Sequence, residues 1–385
     1  MKILYHHRTR SKDGQYVHIE EMINALRAQG HEVIIVAPPS AETESFGSDA
    51  GPVAWLKRHM PKACYELMEL AYSLVAYRRL AKAVKQHRPD CLYERYNLFL
   101  PAGIWLARKY KLPMLLEINS PLLEERAKYD GLALTSLARW SQAYAWKNAD
   151  IVLPVTQVLG DIVASYGVDP ARIVVIPNGI NLERFDSAPD VAAAKRALGL
   201  DGSLVLGFTG FVRDWHGLDK VIAMIAQDPP ESRRHLLVVG DGPVRATLEQ
   251  QARDLGIENR VQFTGIIGRD EVARYVAAFD IALQPAVVSY ASPLKLFEYL
   301  ALGKAIVGPD QPNILEILSA DHNAVLFDPS RPDGLAGAVE RLCDDGALRA
   351  KVAANARATI AEQKLTWHAN ARRVTDLFEG LMRRA

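Results

Sequence analysis

The sequence predicts an α/β protein of two doubly wound domains, each a parallel sheet with helices on both faces. Three observations predict it. The chain has 385 residues, more than one ordinary hydrophobic core accommodates, so two domains of roughly 180 residues are the natural division. From the N-terminus onward a short apolar strand, a polar or glycine-containing loop and an amphipathic helix alternate, which is the grammar of βαβ units. That grammar restarts near Leu204, beyond a turn at Pro177-Asn178-Gly179. Residues 1–180 and 181–365 are the expected domains.

Composition narrows the function. Hydrophobic residues make up 49% and charged residues 24% of the chain, as in a soluble globular protein. No apolar run reaches the roughly 18–20 residues that a membrane span needs, and Met1-Lys2-Ile3-Leu4 opens no signal-peptide pattern. The scattered cysteines, Cys64, Cys91 and Cys343, argue for reduced thiols in a cytoplasmic protein. There is no CxxC, HExxH or carboxylate cluster, so neither a metal nor another cofactor is expected. Residues 1–180 hold 22 Lys and Arg against 18 Asp and Glu, and the remainder 24 against 27. This mild asymmetry is far too weak for a nucleic-acid footprint.

Lys2 to His7 reads as a buried strand, followed by a polar loop with Gly14 and a helix from about Val17 to Gln29 that carries Ile19, Met22, Ile23 and Leu26 at helical spacing. HEVIIVAPP is the second strand of this unit. Gly14 either lines a ligand cleft at the strand's carboxyl end or only makes a turn. Residues 53–87 form a helical region with Trp55, Leu56, Lys57, Arg58, His59 and Met60, then Tyr77, Arg78, Arg79 and Leu80. It reads as a helix pair packed on a sheet, or as an amphipathic surface that touches anionic lipid headgroups at the inner face of the membrane.

The strand DCLYERY ends in Glu94, Arg95 and Tyr96, and the strand PMLLEINSP ends in Glu117, Asn119 and Ser120, with Glu125 and Arg126 beyond. Polar groups after successive buried strands stand where sites occur in parallel sheets, and they suggest an acceptor-side cleft. The strands DIVLPVT and RIVVIP complete this half.

In the second half, LVLGFTGF is a strand, followed by the loop Val212 to Gly217 and a helix, LDKVIAMIA. HLLVVGDGP exits through Gly240-Asp241-Gly242, and VQFTGII carries Ile266. IALQP, KAIVG and AVLFDP are further strands, and helices fill 332–382. Gly240 and Gly242 resemble half of a dinucleotide fingerprint, but Val244 and Arg245 occupy the place of its last glycine. They read as backbone approaching a nucleotide base or ribose.

Pro285 to Gly308 is the stretch that carries the chemistry. The loop breaks at Ser292-Pro293, and a helix opens with Leu294-Lys295-Leu296-Phe297-Glu298, closed by Gly303. Free N–H groups at the start of that helix are a seat for phosphate. Lys295 and Glu298 share a face, which sets a cation for phosphate beside a carboxylate for sugar hydroxyls. Gly210, Arg213 and His216 lie in a loop that enters the same region. Arg213 offers a planar fork to diphosphate oxygens. Ordinary solvated charges and a capping histidine are the bland alternatives.

GFTGFVRDWHG, VVGDGP, VQFTG and SPLKLFEYLALGKAIV, in this order, with GHEVIIVAP and VIPNGINLERF before them, resemble retaining family 4 glycosyltransferases (glycosyl transferase group 1). The resemblance spans nearly the whole chain. It implies the GT-B fold, two Rossmann-like domains facing across a cleft, with residues 366–385 as a helix returning to the N-terminal domain. It further implies a nucleotide-sugar donor on the C-terminal domain, a glycan or lipid-linked acceptor on the N-terminal one, and no metal requirement.

By that resemblance Arg213 and Lys295 act on the departing diphosphate, and His216 replaces a family lysine, so its contact is either pH-sensitive or a plain hydrogen bond. Gly14, Gly210, Gly240, Asp241, Gly242, Ile266, Ser292, Pro293 and Leu294 would line the donor, and Glu298 would bind the ribose hydroxyls. Tyr290 stands at the first carboxylate of the family's Glu-x7-Glu motif, which leaves backbone amides around Ser292 to Lys295 to hold the donor sugar. Asn119 stands where many members carry a histidine near the reacting centre. Arg95, Tyr96, Glu117 and Ser120 would face the acceptor. The expected activity is hexosyl transfer with retention in polysaccharide or lipid-linked glycan synthesis. A catalytically silent scaffold and a nucleotide-sugar epimerase are the rivals.

Overall fold

Every strand described in the computed structural model, which covers residues 1–9, 14–38 and 60–384, pairs in parallel with its neighbours. The chain folds into two units. One comprises Met1–Pro177, Tyr290–Ser292 and Trp367–Ala385, and the other Asn178–Ser289 and Pro293–Thr366.

The first unit holds β1 (Lys2–His6), β2 (Glu32–Val36), β3 (Cys91–Arg95), β4 (Met114–Ile118) and β5 (Ile151–Pro154), in the order β2-β1-β3-β4-β5. β3 and β4 are buried along their whole length, as strands covered on both faces must be. The helix Gly14–Ala28 buries Ile19, Met22, Ile23 and Leu26, and Gly30 in the left-handed region (φ 82°) ends it. Gly14 is thus the first residue of this helix and not a loop residue. The helical region expected over 53–87 is one 26-residue helix, Lys62–His87, in its described part. Trp55, Leu56, Lys57, Arg58 and His59 lie outside the described residues. Residues 173–177, read as a strand, make only an edge contact, in which Val174 and Ile176 donate to Val152 and Pro154.

The helix Trp367–Met382 belongs to this unit. It packs on the helix Gly14–Ala28, with the His18 ring edge-on to Trp367 at 4.7 Å and Gln29 Nε2 donating to the His368 carbonyl at 2.7 Å.

The second unit holds β6 (Leu204–Thr209), β7 (Arg234–Val239), β8 (Val261–Phe263), β9 (Ile281–Leu283), β10 (Ala305–Pro309) and β11 (Val325–Phe327), in the order β11-β10-β9-β6-β7-β8. Side chains alternate across the sheet: Val205 enters one core with Phe279, Phe297 and Leu300, and Leu206 and Phe208 enter the other with Val221 and Ile225. The chain winds from β6 outward to β8, then returns to lay β9 on the other side of β6. β8 stops at Phe263, short of the expected VQFTGII. Among the described residues no helix is long and apolar enough to cross a membrane.

Candidate functional site

In the second unit, β6 and β9 pair only through Leu206 with Ile281 and Gly207 with Ala282, then diverge. Open parallel sheets bind ligands at such a reversal, beyond the carboxyl ends of the strands. The divergence has a plug. The buried Tyr299 hydroxyl accepts the Thr209 N–H at 3.0 Å and donates to the Leu283 carbonyl at 3.4 Å. Both strand exits are thereby held from the helix Leu294–Ala301, which Tyr299 belongs to.

Two loops leave the sheet on the β7 side. Gly210 donates to the Val239 carbonyl at 2.9 Å and Val212 to that of Asp241 at 2.8 Å. A Cβ at Gly240 would lie 2.2 Å from the Gly210 carbonyl oxygen, and one at Gly242 2.0 Å from that of Val212. Close packing of one loop on the next therefore demands glycine at both positions, whatever else their backbone approaches. Asp241 accepts from the Gly242 N–H at 2.7 Å and pairs with Arg245 at 3.3 Å. Ile266 stands outside the sheet and is 62% exposed.

The cations gather on the other side of Gly210. Lys295, half-buried on the first turn of its helix, places Nζ 3.7 Å from the centre of the Phe208 ring. A Cβ on Gly210 would touch its Cε and Nζ. Among the described residues no carboxylate comes within ion-pair distance of it. Burial lowers its pKa to about 7, against the pull of Glu298. Glu298 shows the mirror effect: burial raises its pKa to about 7, opposed by Lys295 and Arg269, and its Oε2 has no hydrogen-bond partner.

His216 lies against Phe208, ring centres 5.1 Å apart, and its Nδ1 accepts the Arg213 N–H at 3.1 Å. Burial, with Lys295 and Arg213 nearby, lowers its pKa to about 3. With Nδ1 accepting from Arg213 and its pKa lowered this far, the His216 ring of the free protein is neutral and carries its proton on Nε2. Arg213 is exposed, with its guanidinium over the Phe211 and Trp215 rings at 4.8 and 5.1 Å. Pro293 caps the helix, and no side chain accepts from the first turn. Gly210, Arg213, His216, Pro293, Leu294, Lys295 and Glu298 are thus brought to one end of the second sheet. Gly240, Asp241 and Gly242 flank them.

In the first unit the polar residues converge on Glu117. It pairs with His18 at 3.0 Å and accepts from Arg95 at 2.5 Å and Tyr93 at 2.8 Å, and Asn119 also donates to it. Burial alone would raise its pKa, but His18 and Arg95 hold it well below the usual carboxylate range. His6 bonds Glu94 at 2.5 Å beside this cluster, and burial together with His6 and Arg95 lowers the His7 pKa to about 4.

Arg95 and Glu117 are therefore spent on each other, and Tyr96 is a core residue, with its hydroxyl on Gln142 at 3.0 Å and its ring edge-on to Trp146. All three were expected to face an acceptor; in the structure each is buried and hydrogen-bonded within its own unit, whose sheet is covered on both faces. The sequence reading passed over His6, His7, His18 and Tyr93. Two adjacent histidines ending a strand were the visible signal. Ser120 donates to Glu125 at 3.1 Å, and the same carboxylate accepts from the Tyr290 hydroxyl at 2.6 Å. Tyr290 and Ser292 cluster with this unit.

Two family models match. Residues 12–184 match Glycosyltransferase Family 4 and residues 191–359 match Glycosyl transferases group 1. A D-inositol 3-phosphate glycosyltransferase from Xylanimonas cellulosilytica is 27% identical over 390 residues, 95% of this chain and 91% of that relative. An alpha-monoglucosyldiacylglycerol synthase from Streptococcus pneumoniae is 25% identical over 314 residues, 78% of this chain and 69% of that one. Among solved structures, HepE of Anabaena in complex with UDP and glucose superposes with a TM-score of 0.75 at 21% identity, covering 99% of this chain and 100% of that one. A sucrose-phosphate synthase from Thermosynechococcus elongatus gives 0.76 at 19% identity over the whole of both chains. The chain belongs to the group 1 glycosyltransferases of family 4 and has their GT-B fold.

Proposed function

We propose that this enzyme transfers a hexosyl group from a nucleoside-diphosphate sugar to a hydroxyl acceptor, with retention and without a metal ion. The observation that carries the proposal is the Lys295 ammonium, held half-buried beside His216 and Arg213 with no carboxylate of the described residues within ion-pair distance. A buried, unneutralised cation is costly for the apoprotein, and an anionic ligand relieves that cost. Departure of a nucleoside diphosphate builds negative charge on its oxygens, and preorganised positive charge aimed at those oxygens is the strongest stabilisation an enzyme can give them. Arg213, Lys295, the His216 Nε2–H and the helix N-terminus at Leu294 supply it.

Glu298, with an orphaned Oε2, suits the two ribose hydroxyls. In front-face attack the leaving phosphate oxygen takes the acceptor's proton, so no protein base is required. Asn119 and Glu117 are then free to serve as hydrogen-bonding scaffold.

For the acceptor, a lipid-linked or polysaccharide intermediate is the proposed class. The helix Lys62–His87 exposes Leu67, Leu74 and Val75, and Arg78, Lys82 and Lys85 continue the same stripe at helical spacing, lining a shallow groove with Tyr77 and Ala81. An apolar patch running into a basic one matches a membrane carrying anionic headgroups. The test is a thermal-shift panel of UDP-, GDP- and ADP-sugars with and without EDTA, followed by mass spectrometry of the products. Stabilisation and transfer that survive EDTA are expected. No response to any nucleotide sinks the enzyme reading, whereas binding without transfer to any hydroxyl acceptor favours a silent subunit.

A further inference from the structure

Between β9 and Pro293 the chain crosses the carboxyl edge of the second sheet in the segment Gln284 to Ser289, and three side-chain amides hold it. Gln284 Nε2 donates to the Ala286 carbonyl at 2.6 Å, Gln311 Nε2 to that of Val287 at 3.3 Å, and Asn313 Nδ2 to that of Val288 at 3.2 Å. Gln311 Nε2 also donates to Asn313 Oδ1 at 2.8 Å, which locks two of the amides to each other. Gln284 and Asn313 are buried.

The consequence lies on the other side of the segment. In a trans peptide the carbonyl and the following N–H point in opposite directions, and the chain has no cis bond among its described residues. Turning the carbonyls of residues 286–288 onto amides turns the N–H groups of Val287, Val288 and Ser289 away from them. Those three N–H groups have no acceptor among the described residues. N–H groups left open in this way are available to an anion, and they lie a few residues before Lys295 in the chain.

Gln284 sharpens the point. Its Oε1 is buried without a partner, and reversing the amide would set two oxygens against each other. An apolar residue would remove that unsatisfied acceptor, so its presence asks for a reason beyond stability.

We infer that Gln284, Gln311 and Asn313 are positioning residues, which orient the backbone N–H groups of Val287 to Ser289 toward the diphosphate of the donor. This rests on the proposed donor reading. The experiment compares wild type with Asn313→Leu, which roughly keeps the shape and removes the donor to Val288 without adding a charge that would itself repel the diphosphate. Gln311→Met, at a half-buried position, serves as the second variant in case the first does not fold. Calorimetric titrations with UDP and with uridine separate the diphosphate from the nucleoside.

The expected result is a rise of about tenfold in the UDP dissociation constant with uridine affinity unchanged within about twofold. A purely structural role would weaken both ligands alike, and equal loss, or no change in either, overturns the inference. If wild type binds none of UDP, GDP and ADP, it is the donor reading that fails. If wild type binds and the variants match it, only the positioning role fails.

Discussion

The Tyr299 hydroxyl accepts the backbone N–H of Thr209 at the point where β6 parts from β9. One residue, on the helix that also carries Lys295 and Glu298, thus fixes the strand exit that leads into Gly210 and Arg213. Gly210, Arg213, Lys295 and Glu298 are therefore all referenced to one buried hydrogen bond. Tyr299→Phe leaves the Thr209 N–H buried and unpaired, at a cost of about 1–3 kcal/mol. Urea unfolding should read that loss, and an unchanged midpoint would show that the bond does not hold the exit.

Glu298→Ala should weaken nucleotide binding by about 1.5–3 kcal/mol, the worth of a carboxylate pairing two hydroxyls. Because burial raises the Glu298 pKa to about 7, the ionised form that pairs best is lost as pH falls through that value. Wild-type affinity for uridine, which leaves out the diphosphate that Lys295 charging over the same window would favour, should therefore fall from pH 8 to pH 6, and the variant should lack this dependence. Calorimetry across that range decides it.

Lys295→Met should stabilise the apoprotein near neutral pH while abolishing donor binding. Burial, opposed by Glu298, lowers the Lys295 pKa from 10.5 to about 7. Between those values the folded state holds fewer protons than the unfolded one, so wild-type stability rises with pH across that window. The variant lacks this contribution, so its slope is shallower, with only other depressed groups such as the buried Lys304 remaining. Parallel slopes for the two proteins in chemical denaturation at pH 7 to 10 would show that the ammonium is not buried at a cost.

Arg213→Ala should lower kcat by roughly 100-fold, with a much smaller change in donor affinity, since an exposed guanidinium stacked on Phe211 and Trp215 is free to act where charge develops in the transition state. Equal losses in kcat and affinity would place its contribution in the ground state instead. Steady-state kinetics paired with nucleotide titration gives the split.

Glu117→Gln should destabilise the protein by about 3–5 kcal/mol, because Arg95 and His18 lose their common partner inside the first unit. Guanidinium unfolding measures it. A small stability effect with a large change in acceptor KM would return Glu117 to the acceptor side.

Much of the fold was legible because it is written locally. Alternation of apolar strand and amphipathic helix, a glycine at the end of a helix, and a proline before Leu294 are short-range signals, and the two parallel sheets follow from them. Tyr96 shows where legibility ended: nothing in DCLYERY distinguishes a strand-end side chain that faces a cleft from one that packs on Trp146. Gly240 and Gly242 show it differently, because the atoms they avoid belong to a loop some thirty residues earlier in the chain.

The sequence by itself determined the fold class, the family, and the presence of Arg213 and His216 in a strand-to-helix loop and of Lys295 and Glu298 on the helix after another, since periodicity and motif order survive without coordinates. Only the tertiary structure decided their states. That His216 is neutral, that Lys295 rests on Phe208 without a carboxylate, and that Glu117 is spent on Arg95 and His18 all depend on burial and on partners from other strands. Desolvation and charge act through space, and residue order alone does not carry them.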